Sequence, residues 1–205
     1  MTVICGLDSA TTSGAAILRG DRLVHAEFFR PKGSTDAEIF AGFRIWWRAL
    51  LKANEVEEVA IEEPLRTDLS MNETEDRSDV FGSSRFTVKK PIGTMRTFLR
   101  LYGIRAHAIE VCHSINVPCR EVNNATWRSK IYGGRRPPRG LNSAQRSAWW
   151  KQQALNHCAL IGWDIKSKDA AEGAMIAEYL RITLKEERLG YSARPGEFKF
   201  GESAA

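Results

Sequence analysis

The chain of 205 residues is 43% apolar and 27% charged, so it can bury a core, is unlike a disordered polymer, and has a length that suits one domain. No apolar run nears the roughly 18 residues of a membrane span, and the opening MTVICGLDSATTSG has no basic leader segment. Four scattered cysteines (Cys5, Cys112, Cys119, Cys158) form no C-x-x-C pair, so neither a disulfide framework nor a zinc site is expected, and the chain reads as cytoplasmic, with no membrane association.

The net charge of +5 is unevenly spread. Between Arg85 and Arg105 stand six basic residues and no acid; between Arg120 and Lys151, eight against Glu121 alone. The remainder is therefore net acidic. Such segregation predicts a polyanion-binding surface beside acidic chemistry; the plain alternative is a pair of solvated helix faces.

In chain order, VICGL, GAAILR and RLVHAEFF read as three consecutive strands, with turn residues at Thr11–Gly14 and Gly20–Asp21. Ser34, Thr35 or Asp36 caps a helix to about Asn54, with Ile39, Phe43, Trp46, Trp47 and Leu50 at helical spacing. EEVAIEEP is a short strand stopped by Pro64, and 65–84 reads as a long polar loop. A helix is expected over roughly 88–115, with Gly103 a candidate break. VPCREV is a strand, NNATWRSKIYG a short capped helix, and GRRPPRG a basic loop. Asn142 or Ser143 caps a helix to about Leu160, and the last helix runs from about Lys168 to Glu187. Three strands and then alternating helices and strands predict a mixed sheet flanked by helices.

Asp8 ends the first strand, on the face of Ile4 and Gly6, while Val3, Cys5 and Leu7 share the other. Glu62 ends the later strand on the face of Ala60. If the two strands are adjacent and parallel, these carboxylates stand roughly 5 Å apart and need a cation or a shared proton. Glu63 is the rival to Glu62, and a turn cap is the plain reading of Asp8. In SKDAAEGAMIAEYL, Asp169 and Glu172 share one helix face with Ile176, Tyr179 and Leu180, although acids suit any helix N-terminus. Four converging carboxylates call for divalent metal, and an all-oxygen donor set suits Mg²⁺, or Mn²⁺, over zinc. Two such ions about 4 Å apart are the arrangement for phosphodiester hydrolysis. No organic cofactor is expected.

The segments GLDSATTSGAAIL, VAIEEP, GIRAHAIEVCHSINVPCREV, WRSKIYG and DAAEGAMIA, in that order over roughly residues 2–185, resemble the RuvC family of Holliday-junction resolvases in the ribonuclease H-like superfamily. The resemblance implies an α/β fold with a mixed five-stranded sheet, three antiparallel strands and then parallel ones, in a nuclease domain over 1–187 with a tail over 188–205. It implies that Asp8, Glu62, Asp169 and Glu172 bind the metal ions, and that Arg128 and Lys151 match family lysines, the second at a helix start. It also implies a homodimer that nicks opposed strands of a four-way junction. Three features depart from the bacterial members: Glu172 in place of a second Asp, the GRRPPRG insert, and Leu65 where they carry an aromatic residue. Phage-encoded relatives vary in this way, in keeping with a phage or prophage origin.

Arg85, Lys89, Lys90, Lys130, Arg135, Arg136 and Arg139 are candidate DNA-backbone contacts. Trp127, Trp149, Trp150 and Tyr132 interleave with basic residues and could stack on bases, although packing explains such aromatic residues as well. Phe81 and Phe86 fall where the family has its dimer helix and DNA-facing loop. The four histidines have no metal-ligand spacing. Two other readings stand beside junction resolution: a phage nuclease acting on forks, flaps or packaging intermediates, and a non-catalytic junction-binding module. GLDSATTSG also resembles the phosphate hairpin of the actin and sugar-kinase superfamily, but the second domain and second phosphate loop of that fold have no counterpart in the sequence.

Overall fold

The computed structural model describes residues 1–64 and 95–190, together with the backbone of 72–78 and 85–91. Five strands, β1 (Val3–Asp8), β2 (Ser13–Arg19), β3 (Arg22–Phe29), β4 (Glu58–Glu62) and a last one at Cys119–Val122, form one sheet. Its first three strands are antiparallel neighbours, and β4 lies parallel to β1 on the other side. The Cys119–Val122 strand follows, parallel to β4. This is the expected mixed sheet.

Period-two alternation sends the strands' side chains to two separate cores. Val3, Cys5, Leu7, Val59 and Ile61 face α1 (Asp36–Ala53) and α2 (Met95–Ser114) around Phe43 and Trp47. Ile4, Ala16, Leu18 and Ala60 face the other layer, α3 (Asn124–Tyr132), α4 (Ser143–Leu160) and α5 (Lys168–Arg188). Of the three candidate caps on α1, Thr35 takes the position: its hydroxyl accepts from the Glu38 N–H, and the Glu38 carboxylate accepts from the Thr35 N–H.

Three expectations fail here. Within 65–84, expected as loop, Asn72–Ser78 forms β5, which pairs antiparallel with β6 (Arg85–Pro91), the strand Cys119–Val122 being β7. The helix expected from about 88 begins at Met95 instead. Lys90 precedes Pro91, and a residue before proline disfavours the helical region, so 88–90 stay extended. The expected break at Gly103 does not occur either: α2 runs through it. That glycine serves packing, since a Cβ there would stand 2.3 Å from the ring of Phe40.

The feature that positions the site is the seating of α5. It lies on β1 and β2 with glycine at each close approach. A Cβ at Gly6 would fall 2.2 Å from the Ala177 nitrogen, and one at Gly14 would fall 1.8 Å from the Asp169 carbonyl oxygen. Gly173 closes the contact from the helix side, against the Gly14 backbone. Among the described residues, no helix is long and apolar enough to cross a membrane.

Candidate active site

Asp8 and Glu62 come together through register. Leu7 pairs with Ile61 across the parallel β1–β4 ladder, so the next residues, Asp8 and Glu62, leave adjacent strands at the same edge. Ser9 ties the two ends by donating its hydroxyl to the Glu62 carbonyl at 2.7 Å. Asp8 is also the cross-strand partner of Gly14, against which the first turn of α5 lies. The N-terminus of α5, capped by Ser167, thereby brings Asp169 and Glu172 to the same edge.

Asp8, Glu62 and Glu172 are buried, Asp8 at 8% exposure and Glu172 at 4%. Burial first, and then the charges of Glu172 and Glu62, hold the Asp8 carboxyl well above the ordinary carboxylate range. Burial likewise raises Glu62, and pushes Glu172 up to about 7 even though Arg128 pulls the other way. Glu63, the rival carboxylate, stands outside this cluster, where it accepts from the Asn123 amide at 3.3 Å.

The cluster holds two cations of its own. Arg128 donates to Glu172 at 3.0 Å. Lys151 is ion-paired with Asp169 and lies 3.9 Å from the second oxygen of Glu172. Burial alone would lower Lys151, but its bond to Asp169 and the charges of Glu172, Asp169 and Asp8 leave it raised. Lys151 sits in the middle of α4, not at a helix start as the resemblance implied.

The neighbours that orient these groups carry no pattern in the sequence. Glu62 accepts from the Asn124 amide at 2.6 Å and from the Trp127 indole N–H at 3.1 Å. Arg128 stacks over two indoles, 5.0 Å from the centre of Trp127 and 4.9 Å from that of Trp150. Tyr132 stacks in turn on Trp150. Base stacking by Trp127 and Tyr132 is therefore ruled out by burial; Trp127 lies beside the arginine, and Tyr132 packs against both indoles. The only advance signal was the capped short helix NNATWRSKIYG, which places Asn124, Trp127 and Arg128 on successive turns.

The site's carboxylates suit a hard divalent cation. Every candidate ligand atom is oxygen, and among the described residues no donor is bonded to the buried Asp8 carboxylate. Among the described residues no three acidic, histidine or cysteine side chains already stand as a ready ligand set; Asp169 and Glu172 are engaged by Lys151 and Arg128.

The basic residues sort into two groups. Arg105 pairs with Glu121, Arg120 with Glu58 and Glu187, Lys130 with Glu186, and Arg100 with Asp36. Their charge is spent within the fold, and Lys130, read as a DNA contact, is held on the α3–α5 seam. Arg135, Arg136 and Arg139 are exposed, and none has an ion pair to another described residue. The side chains of Arg85, Phe86, Lys89 and Lys90, and residues Leu65 and Phe81, lie outside the described residues.

Fold and site together define an α/β protein with the ribonuclease H-like sheet and a carboxylate cluster at the strand ends. Within that class the chain has the fold of RuvC. It is similar to Thermus thermophilus RuvC in complex with a Holliday junction substrate, with a TM-score of 0.61 at 14% identity over 93% of this chain and 97% of that one. It is also similar to another Thermus thermophilus RuvC structure, with a TM-score of 0.58 at 13% identity over 92% and 97%. No family model matches the chain, and no curated protein matches its sequence.

Proposed function

We propose that the protein is a divalent-metal-dependent, structure-selective DNA endonuclease that resolves four-way junctions. The observation that carries this reading is the Asp8 carboxylate: buried, without a hydrogen-bond donor among the described residues, and beside Glu62 and Glu172. Such a group requires a cation or a proton. A further support is the fold shared with a RuvC whose structure holds a Holliday junction substrate.

In this reading Asp8, Glu62, Asp169 and Glu172 hold two Mg²⁺ ions, with Mn²⁺ able to substitute. When bound, such ions activate water and offset charge at a phosphate. Asn124 and Trp127 fix both oxygens of Glu62, so its orientation is set before substrate arrives. Arg128, stacked on its two indoles, supplies a fixed positive charge at the rim of the acids. Lys151 supplies a second positive charge there, carried on a flexible stem. Arg135, Arg136 and Arg139 would hold the DNA backbone without reading sequence.

A homodimer accords with an apolar stripe on α2, where Met95 is 73% and Leu99 63% exposed and Tyr102 continues the same face at helical spacing. Sedimentation analysis tests it; Leu99→Glu should yield monomers if this face is the interface.

The deciding experiment is cleavage of synthetic four-way, three-way and linear duplexes in Mg²⁺, Mn²⁺ and EDTA. Junction-selective nicking with metal and none with EDTA is expected. Equal cutting of all three substrates would overturn junction selectivity, and no nicking in any metal would overturn the endonuclease reading.

A further inference from the structure

The two cations in the acidic cluster are held in different ways. The Arg128 side chain is 16% exposed, its guanidinium lies over the indoles of both Trp127 and Trp150, and its Nε is buried with no acceptor among the described residues. It has nowhere else to go. Lys151 reaches the cluster on a flexible stem, keeps 29% of its side chain exposed, and is paired with Asp169 and near Glu172 through its Nζ. Both of these acids belong to the set proposed above to bind metal. A point charge on four rotatable bonds can turn away where a stacked planar group cannot.

We infer that Lys151 is an exchangeable internal counter-cation of this site: it occupies the acids while they are metal-free, and a divalent ion must displace its ammonium from Asp169 and Glu172. The inference rests on the metal-site reading above and adds a regulatory role for one residue. The pairing shields the acids from one another in the metal-free protein. It also opposes loading, since a divalent ion arriving beside an unmoved ammonium meets a like charge at close range in a poorly screened site. The displaced ammonium, still tethered to α4 at the rim, becomes available to an anion such as a DNA phosphate. Metal loading and backbone contact are thereby linked through a single side chain.

The test uses the full chain without DNA and Mn²⁺ as the probe, its free concentration followed by electron paramagnetic resonance. Lys151→Met should bind Mn²⁺ roughly tenfold or more tighter than the wild type, while Lys151→Arg should stay within a few-fold of the wild type. In the wild-type protein, acylation of Lys151 by an amine-reactive ester, mapped by peptide mass spectrometry, should rise several-fold on addition of Mn²⁺. Asp8→Asn serves as the control on the site itself and should lose most Mn²⁺ binding. If Asp8→Asn binds Mn²⁺ as the wild type does, the metal-site reading fails. If Asp8→Asn loses binding but Lys151→Met binds no tighter than the wild type, the exchange fails and the metal site stands. Should Lys151→Met not fold, the acylation result decides, and Lys151 reactivity unchanged by Mn²⁺ overturns the inference.

Discussion

Gly14 and Asp169 meet backbone to backbone: a methyl group on Gly14 would stand 1.8 Å from the Asp169 carbonyl oxygen. Because Gly14 is also the cross-strand partner of Asp8, this contact brings the α5 acids beside the strand-end carboxylate. Gly14→Ala must push α5 off the sheet, and backbone cannot yield as a flexible side chain would. The expected outcome is destabilisation by about 3 kcal/mol or more, read as a lowered urea midpoint, with a loss of Mn²⁺ binding in the protein that still folds. A variant with wild-type stability would show that this seating is not what assembles the cluster.

Asp8→Asn and Glu62→Gln should each abolish cleavage while leaving branched-DNA affinity within a few-fold of the wild type. Both substitutions keep the shape and remove a buried charge. Gel-shift and cleavage assays on one junction check the two halves separately; a mutant that still cut with added Mg²⁺ would refute the assignment.

Trp127→Phe keeps the ring beneath Arg128 but removes the indole N–H bonded to Glu62 at 3.1 Å. Losing a hydrogen bond to a buried charged group costs about 1.5–3 kcal/mol, so a fall in stability of that order is expected, with slower cleavage at unchanged DNA affinity. Asn124→Ala should act in the same direction, and the double mutant should be less than additive, because the two donors share one carboxylate.

The metal-free protein should lose stability as pH rises. Glu172, with an ordinary value of 4.5, is pushed up to about 7 by burial, so the folded state holds its proton more tightly than the unfolded one. Its contribution is fully present below about pH 4.5 and lost as pH climbs through about 7. Asp8 and Glu62 are raised in the same direction. Urea unfolding in EDTA should show a stability lower at pH 8 than at pH 5 by roughly 2–3 kcal/mol, and Mg²⁺ should restore more of it at pH 8. A profile flat over that range would contradict the burial of these acids.

Replacing Arg135, Arg136 and Arg139 together by Ala should weaken binding to junctions and linear duplexes alike. The slope of log affinity against log salt should shrink by about 2–3. Lys130→Ala, which removes a charge already paired with Glu186, should leave that slope nearly unchanged.

The amino-acid sequence by itself determined the layered α/β architecture and singled out the acids that lie on the face away from the α1–α2 core. Alternation in VICGLD and EVAIE assigned Val3, Cys5 and Leu7 to one core and Asp8 and Glu62 to the opposite face. A carboxylate that prolongs an inward-facing row, as Glu172 does ahead of Ile176 and Leu180, is visible in a linear string because period and polarity are local properties. The strand β5 escaped because NETEDRS has no apolar residue to alternate. Only the tertiary structure decided which charges neutralise one another. Arg128 finds Glu172 across 44 residues, and Glu62 is held from 62 and 65 residues away by Asn124 and Trp127. Such partnerships depend on strand order and on how closely glycine lets α5 approach the sheet. Two stretches rich in Lys and Arg therefore read alike as sequence, although Arg105, Arg120 and Lys130 brace the fold and Arg135, Arg136 and Arg139 remain exposed on the loop after α3.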